Sequence, residues 1–100
     1  LSTSDQVAVA VVTERAQRRL KEFGEAATEA VEELRLELER SPRLGVRRGS
    51  SPATGHEVYK TRIEPRDGVP GLAVAYLYSP HPPPPAVAIL MVVPDDGQPG

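Results

Sequence analysis

Six consecutive apolar residues, Val7-Ala8-Val9-Ala10-Val11-Val12, open the hydrophobic pattern of this chain. The run is short and rich in β-branched residues, so it predicts a buried strand. Thr13 follows with a hydroxyl suited to capping a helix, and Glu14 sits well in a first helical turn. Ala16, Leu20, Phe23, Ala27, Val31, Leu34 and Leu38 then recur at spacings of three and four, which aligns them on one helical stripe. Gly24 interrupts the stripe. A single long helix is the competing reading. Two helices, over 14–23 and 25–40, are preferred, because a bent pair can lie across a sheet and a rod of about 40 Å cannot. Ser41-Pro42 ends the second helix, since the residue before proline is pushed out of the α region.

Beyond the helices the period changes. Residues 43–55 read as a polar Gly/Ser/Arg loop. Residues 56–63 alternate as a half-buried strand, with Tyr59, Thr61 and Ile63 on one side and His56, Val58, Lys60 and Arg62 on the other. Residues 65–71 are turn chemistry. Residues 72–78 form the next strand, with Ala73, Ala75 and Leu77 opposite Leu72, Val74, Tyr76 and Tyr78. The proline-dense segment 79–85 reads as a stiff connector, with a polyproline ligand as the alternative. Residues 86–93 are apolar on both faces and so belong in the middle of a sheet. The expected order is β-α-α-β-β-β. This is an α+β fold in which a helical hairpin packs on a small, mostly antiparallel sheet. It forms a single domain over 1–100, with 1–5 and 95–100 as flexible tails.

Composition sharpens this division, because all 11 prolines fall after residue 41. Apolar content of 39% comes mostly from Val, Leu and Ala, with Phe23, Tyr59, Tyr76 and Tyr78 as the aromatic residues. A core of such modest side chains predicts marginal stability or support from a partner. Zero cysteines exclude disulfides and thiolate metal sites and are compatible with a reducing cytosol. Two histidines without a carboxylate motif give no metal site, and no cofactor is expected. No apolar run approaches the roughly 18 residues of a membrane span. Leu1-Ser2-Thr3-Ser4-Asp5 lacks the basic region of a signal peptide. The absence of an initial methionine raises the expectation of trimming. A cytoplasmic protein is expected.

The net charge of −2 is unevenly spread. Residues 14–40 carry eight acids and six bases, and Glu29, Glu32, Glu33, Glu37 and Glu39 read as a solvated helix face. Glu14/Arg18, Glu32/Arg35 and Glu37/Arg40 fall at helical spacing. Residues 43–66 carry Arg43, Arg47, Arg48, Lys60, Arg62 and Arg66 against only Glu57 and Glu64. That segment predicts a face for an anion, and its six cations are the candidate contacts to a nucleic-acid backbone. The best chemical candidate is the side shared by His56, Lys60 and Arg62. Metal-free RNA cleavage needs a base for the 2′-hydroxyl, cations for the charge building on phosphorus, and an acid for the leaving oxygen. Histidine titrates near neutrality, and arginine grips two phosphate oxygens. The same alternation also suits the solvated face of an edge strand. Tyr76 and Tyr78 share a side and fit core or rim positions better than a base-stacking platform.

The strand running into Thr13-Glu14-Arg15-Ala16, the hairpin ending in Glu39-Arg40-Ser41-Pro42, and the Leu44-Gly45 loop form one pattern. It continues through Tyr59-Lys60-Thr61-Arg62-Ile63 and Gly71-Leu72-Ala73-Val74-Ala75-Tyr76 to the last strand. Over most of its length the chain thereby resembles the RelE/ParE superfamily of small toxins from bacterial toxin–antitoxin pairs. In the RelE-like branch the resemblance implies metal-independent ribonuclease activity, often on mRNA in the ribosome. In the ParE-like branch it implies inhibition of DNA gyrase, and in both a small antitoxin that wraps the domain. Arg62 matches the arginine common in the second strand of the family, and Lys60 lies on the same side. Where the third strand of the family commonly reads Tyr-Arg-x-x-Tyr, this chain has Ala73 in place of arginine. The final strand carries no base, and Pro94-Asp95-Asp96-Gly97-Gln98-Pro99-Gly100 lacks a C-terminal Tyr, His, Lys or Arg. The resemblance implies a translation-inhibiting toxin domain neutralised by an antitoxin. The departures imply an alternative, a catalytically inactive module that holds a protein or peptide.

Overall fold

The structure is a computed structural model that describes residues 8–95. The apolar run forms strand β1 (Val9–Val12), and Thr13 turns the chain into helix α1 (Glu14–Phe23). The Thr13 hydroxyl accepts from the Ala16 amide at 3.3 Å, answering one of the donors a helix start leaves unpaired. Helix α2 (Glu25–Arg40) follows after Gly24, whose φ of 97° and ψ of 176° lie in a region open essentially to glycine alone. The backbone therefore bends at Gly24 and the two expected helices form with the expected limits. The stripe packs inward: Ala16, Leu20, Ala27, Val31, Leu34 and Leu38 are buried, and Phe23 packs against the core from its margin.

Four further strands complete the chain: β2 (Val46–Ser50), β3 (Glu57–Ile63), β4 (Leu72–Ser79) and β5 (Ala86–Pro94). They join β1 in one sheet of order β1-β5-β4-β3-β2, parallel between β1 and β5 and antiparallel elsewhere. The fold is α+β, two helices packed on a five-stranded mixed sheet. The sheet has one strand more than the sequence pattern predicts, because residues 46–50 are paired with β3 instead of forming part of a loop. All five residues of β2 are exposed, so the strand has no buried side and leaves no alternation to read. With β2 outside it, β3 is an inner strand and not an edge. The doubly apolar β5 lies between β1 and β4, as its pattern predicts.

Cross-strand register assigns the two sides of the sheet. Leu72, Val74, Tyr76, Tyr78, Val87, Ile89 and Val92 are buried in the core together with Tyr59 and Ile63, so both expected tyrosines are core residues. The opposite side is not covered by either helix. It carries the row Val58, Leu77, Ala88 and Val11, the row Lys60, Ala75 and Met91, and the row Arg62, Ala73 and Val93.

The outer edge of β1 is closed by side chains from the hairpin. The Ala10 amide donates to Glu39 Oε2 at 3.1 Å, and Arg35 Nη1 donates to the Ala10 carbonyl at 2.9 Å. The Ala8 amide donates to the Glu39 carbonyl at 2.9 Å, and Gln17 Nε2 to the Val12 carbonyl at 3.3 Å. Glu39 thus departs from the solvated acidic face assigned to it, because a free strand amide lies within its reach. Of the three expected helical pairs, Glu32–Arg35 forms among the described residues, with Arg35 Nε 3.0 Å from Glu32 Oε1. Asp95, expected to start a tail, donates its amide to the Gly71 carbonyl at 2.7 Å. Residues 1–5 and 96–100, the remainder of the expected tails, lie outside the described residues. No described helix is long and apolar enough to cross a membrane.

Gly24→Ala places a Cβ on this backbone conformation and is expected to lower stability by about 1–3 kcal/mol, read as the shift in a urea unfolding midpoint.

Candidate functional site

The uncovered side of β3 is where the candidate chemistry gathers. Lys60 and Arg62 project from it two residues apart, opposite Ala75 and Ala73 of β4. Arg48 joins them through a bulge: Arg47 pairs with Tyr59 and Gly49 with Val58, so Arg48 is the extra residue of β2. Arg48, Lys60 and Arg62 line one concavity of about 320 Å³, together with Thr61, Asp95 and the apolar Leu44 and Val46. Arg48 and Lys60 make no ion pair with any described residue. Arg62 Nε lies 3.3 Å from Asp95 Oδ2 and 3.7 Å from Glu64 Oε2.

Gly45 fixes the floor of the concavity. A Cβ there would stand 2.5 Å from the Lys60 carbonyl oxygen, so only glycine lets the chain approach β3 this closely. Its amide donates to the Tyr76 hydroxyl at 2.9 Å, and burial raises the pKa of that phenol.

The other candidate residues lie elsewhere. His56 precedes β3, with its amide on Thr54 Oγ1 at 3.2 Å and its carbonyl taken by Ser51. Six residues of extended strand separate it from Arg62 by about 20 Å, too far for one phosphate to touch both. Arg43 is turned to the core side. Its Nε and Nη2 fork onto Glu57 at 3.0 and 3.1 Å, and its guanidinium lies 4.9 Å from the Tyr78 ring centroid. Arg47 sits opposite Tyr59, on that same side. Arg66 stands in the turn before β4, with Nη1 3.1 Å from Glu33 Oε1. The structure therefore brings together three of the seven candidates, Arg48, Lys60 and Arg62, and places His56, Arg43, Arg47 and Arg66 apart from them.

The residue missed by sequence reasoning is Asp95, read as tail. Its signal was the hairpin register: Leu72 pairs with Pro94, so the next pair outward sets Gly71 against Asp95 beside Arg62. A second hollow of about 250 Å³ lies against the hairpin, lined by Val12, Gln17, Leu20, Lys21, Thr28, Val31 and Glu32, apart from the three converging cations. No group of described His, Cys, Asp or Glu residues is placed to hold a metal ion.

No family model, curated protein or solved structure matches this chain.

The Arg43 contacts make a prediction about acid stability. Glu57 accepts the Arg43 fork and the Tyr59 hydroxyl, the latter at 2.7 Å, and these hydrogen bonds hold its carboxyl below the ordinary value of 4.5. The pKa of Tyr59 is raised, by burial first and by Glu57 second, so its proton stays available for that bond. A depressed carboxyl contributes stability above the unfolded value and loses it as pH falls through the folded one. Glu57→Gln is therefore expected to cost about 1–2 kcal/mol at neutral pH, discounted for the exposed arginine. The gap to wild type should shrink as pH falls below about 4.5, measured as thermal midpoints across a pH series.

Proposed function

We propose that this chain is a RelE/ParE-like toxin domain that engages RNA through Arg48, Lys60 and Arg62 and is restrained by an antitoxin-like partner. The observation that carries this reading is the convergence of those three cations on one concavity of the uncovered sheet side, two of them without an ion pair among the described residues. A helical hairpin on one side and cations on the other is also the arrangement that the family resemblance implies. Phosphate oxygens fit the guanidinium forks, and the apolar Leu44 and Val46 beside them fit a sugar or base edge. At a scissile phosphodiester Arg62 and Lys60 together meet the charge that builds on the phosphoryl oxygens. His56 takes no part in that step, because the length of β3 separates it from Arg62.

A second reading, a binding module without catalysis, is favoured by Ala73. It lies directly across from Arg62, where the resemblance calls for arginine, and its small side chain leaves the concavity open while removing a cation. Val11 and Met91 on the same side, 51% and 50% exposed, offer apolar contact to a partner.

The test is fluorescence anisotropy with a short single-stranded RNA over a range of salt. Lys60→Ala and Arg62→Ala are each expected to weaken binding about tenfold and to reduce the steepness of the salt dependence by about one contact. Affinity unchanged in both variants would overturn the site. Cleavage products on a gel, and growth arrest on expression that Arg62→Ala relieves, separate the toxin from the module.

A further inference from the structure

We propose that Asp95 is a selectivity residue that makes the concavity prefer a phosphate with an adjacent hydroxyl donor, and so ribose over deoxyribose. The proposal rests on the reading of Arg48, Lys60 and Arg62 as an anion site. Among the described residues lining that concavity Asp95 is the single acid. A carboxylate in an anion site is at first sight a contradiction, since it lies 3.3 Å from the nitrogen of Arg62 that a phosphate would use. Its backbone is also tied in place. The Asp95 amide is held on the Gly71 carbonyl at 2.7 Å, and a Cβ on Gly71 would come within 2.7 Å of the Asp95 carbonyl oxygen. The close approach of these two segments sets the carboxylate at the concavity by strand register.

A site with this composition discriminates by chemistry. An ionised carboxylate only accepts hydrogen bonds. It repels a ligand that offers negative charge alone and rewards one that sets a hydroxyl beside its phosphate. The 2′-hydroxyl of a ribose, next to its own 3′-phosphate, has that arrangement, and deoxyribose lacks the donor. Glu64, the other carboxylate near Arg62, is 77% exposed at its side chain and does not line the concavity. It acts on any anion alike and cannot sort one sugar from another.

The experiment compares a short single-stranded RNA with its 2′-deoxy and 2′-O-methyl counterparts, by anisotropy, on wild type, Asp95→Ala, Asp95→Asn, Glu64→Gln and Lys60→Ala. Wild type is expected to favour RNA over both counterparts about threefold to tenfold, the worth of one partly exposed hydrogen bond. In Asp95→Ala that ratio falls to about one, because RNA loses the acceptor for its 2′-hydroxyl while the lifted repulsion acts on every strand alike. Asp95→Asn, which keeps a weaker carbonyl acceptor, falls between. Glu64→Gln strengthens all three strands and leaves the ratio as in wild type. A wild-type ratio of one, or a preference that survives Asp95→Ala, overturns the inference and spares the anion site if Lys60→Ala still weakens every strand. If Lys60→Ala weakens none of them, the anion site fails and this inference falls with it. The Ala substitution retains the Asp95 amide, and matching thermal midpoints verify that the variants are folded.

Discussion

One helical hairpin has to serve a sheet with two sides, and that constraint governs most of what this molecule can do. The hairpin packs chiefly against β1 and β5, and the large side chains of β4 and β5 turn toward it. The alternate positions set Ala73, Ala75 and Ala88 among Leu77, Met91 and Val93, with charge on β3. Magnitudes decide which contacts matter. Each fully buried Leu, Ile or Val contributes about 1.5–3 kcal/mol relative to exposure, whereas an exposed ion pair contributes about 1 kcal/mol at most. Leu38, Val31, Ile89 and Val74 therefore set the fold, and pairs such as Arg19–Glu22 only adjust its surface.

Toward β2 a different device covers the core. The Tyr59 and Tyr76 rings stack with centroids 5.4 Å apart, and Arg43 lies over Tyr78 while gripping Glu57. The Tyr76 hydroxyl holds the Gly45 amide, so the segment between α2 and β2 is drawn over the tyrosines. Arg43 is thereby committed to the architecture and cannot also follow a nucleic-acid chain. Its neighbour in the sequence pattern, Arg48, escapes this through the bulge and reaches the other side.

The helices, their break at Gly24, and the inward set of Tyr59, Thr61 and Ile63 were legible because burial imposes a period on sequence. Lys60 and Arg62 shared a side for the same reason. β2 was hidden because an edge strand with every residue exposed has no period at all. The distance from His56 to Arg62 follows from the sequence too, since six positions along one strand span about 20 Å. Alternation puts His56 on the side of Arg62, and a shared side is not a shared site. Asp95 and Glu39 escaped notice because each is placed by a partner distant in sequence, Arg62 for one and the Ala10 amide for the other. Charge counts cannot distinguish an acid that meets water from one that meets a backbone.

The closure of β1 by Arg35, Glu39 and Gln17 has a consequence for polymerisation. A sheet extends indefinitely only if every added chain presents a fresh row of unpaired amides and carbonyls. Here one border has four of its groups, the Ala8 and Ala10 amides and the Ala10 and Val12 carbonyls, already engaged by the hairpin. Joining two molecules through β2 would leave only such occupied borders facing outward, which favours stopping at the pair over growth into a fibril.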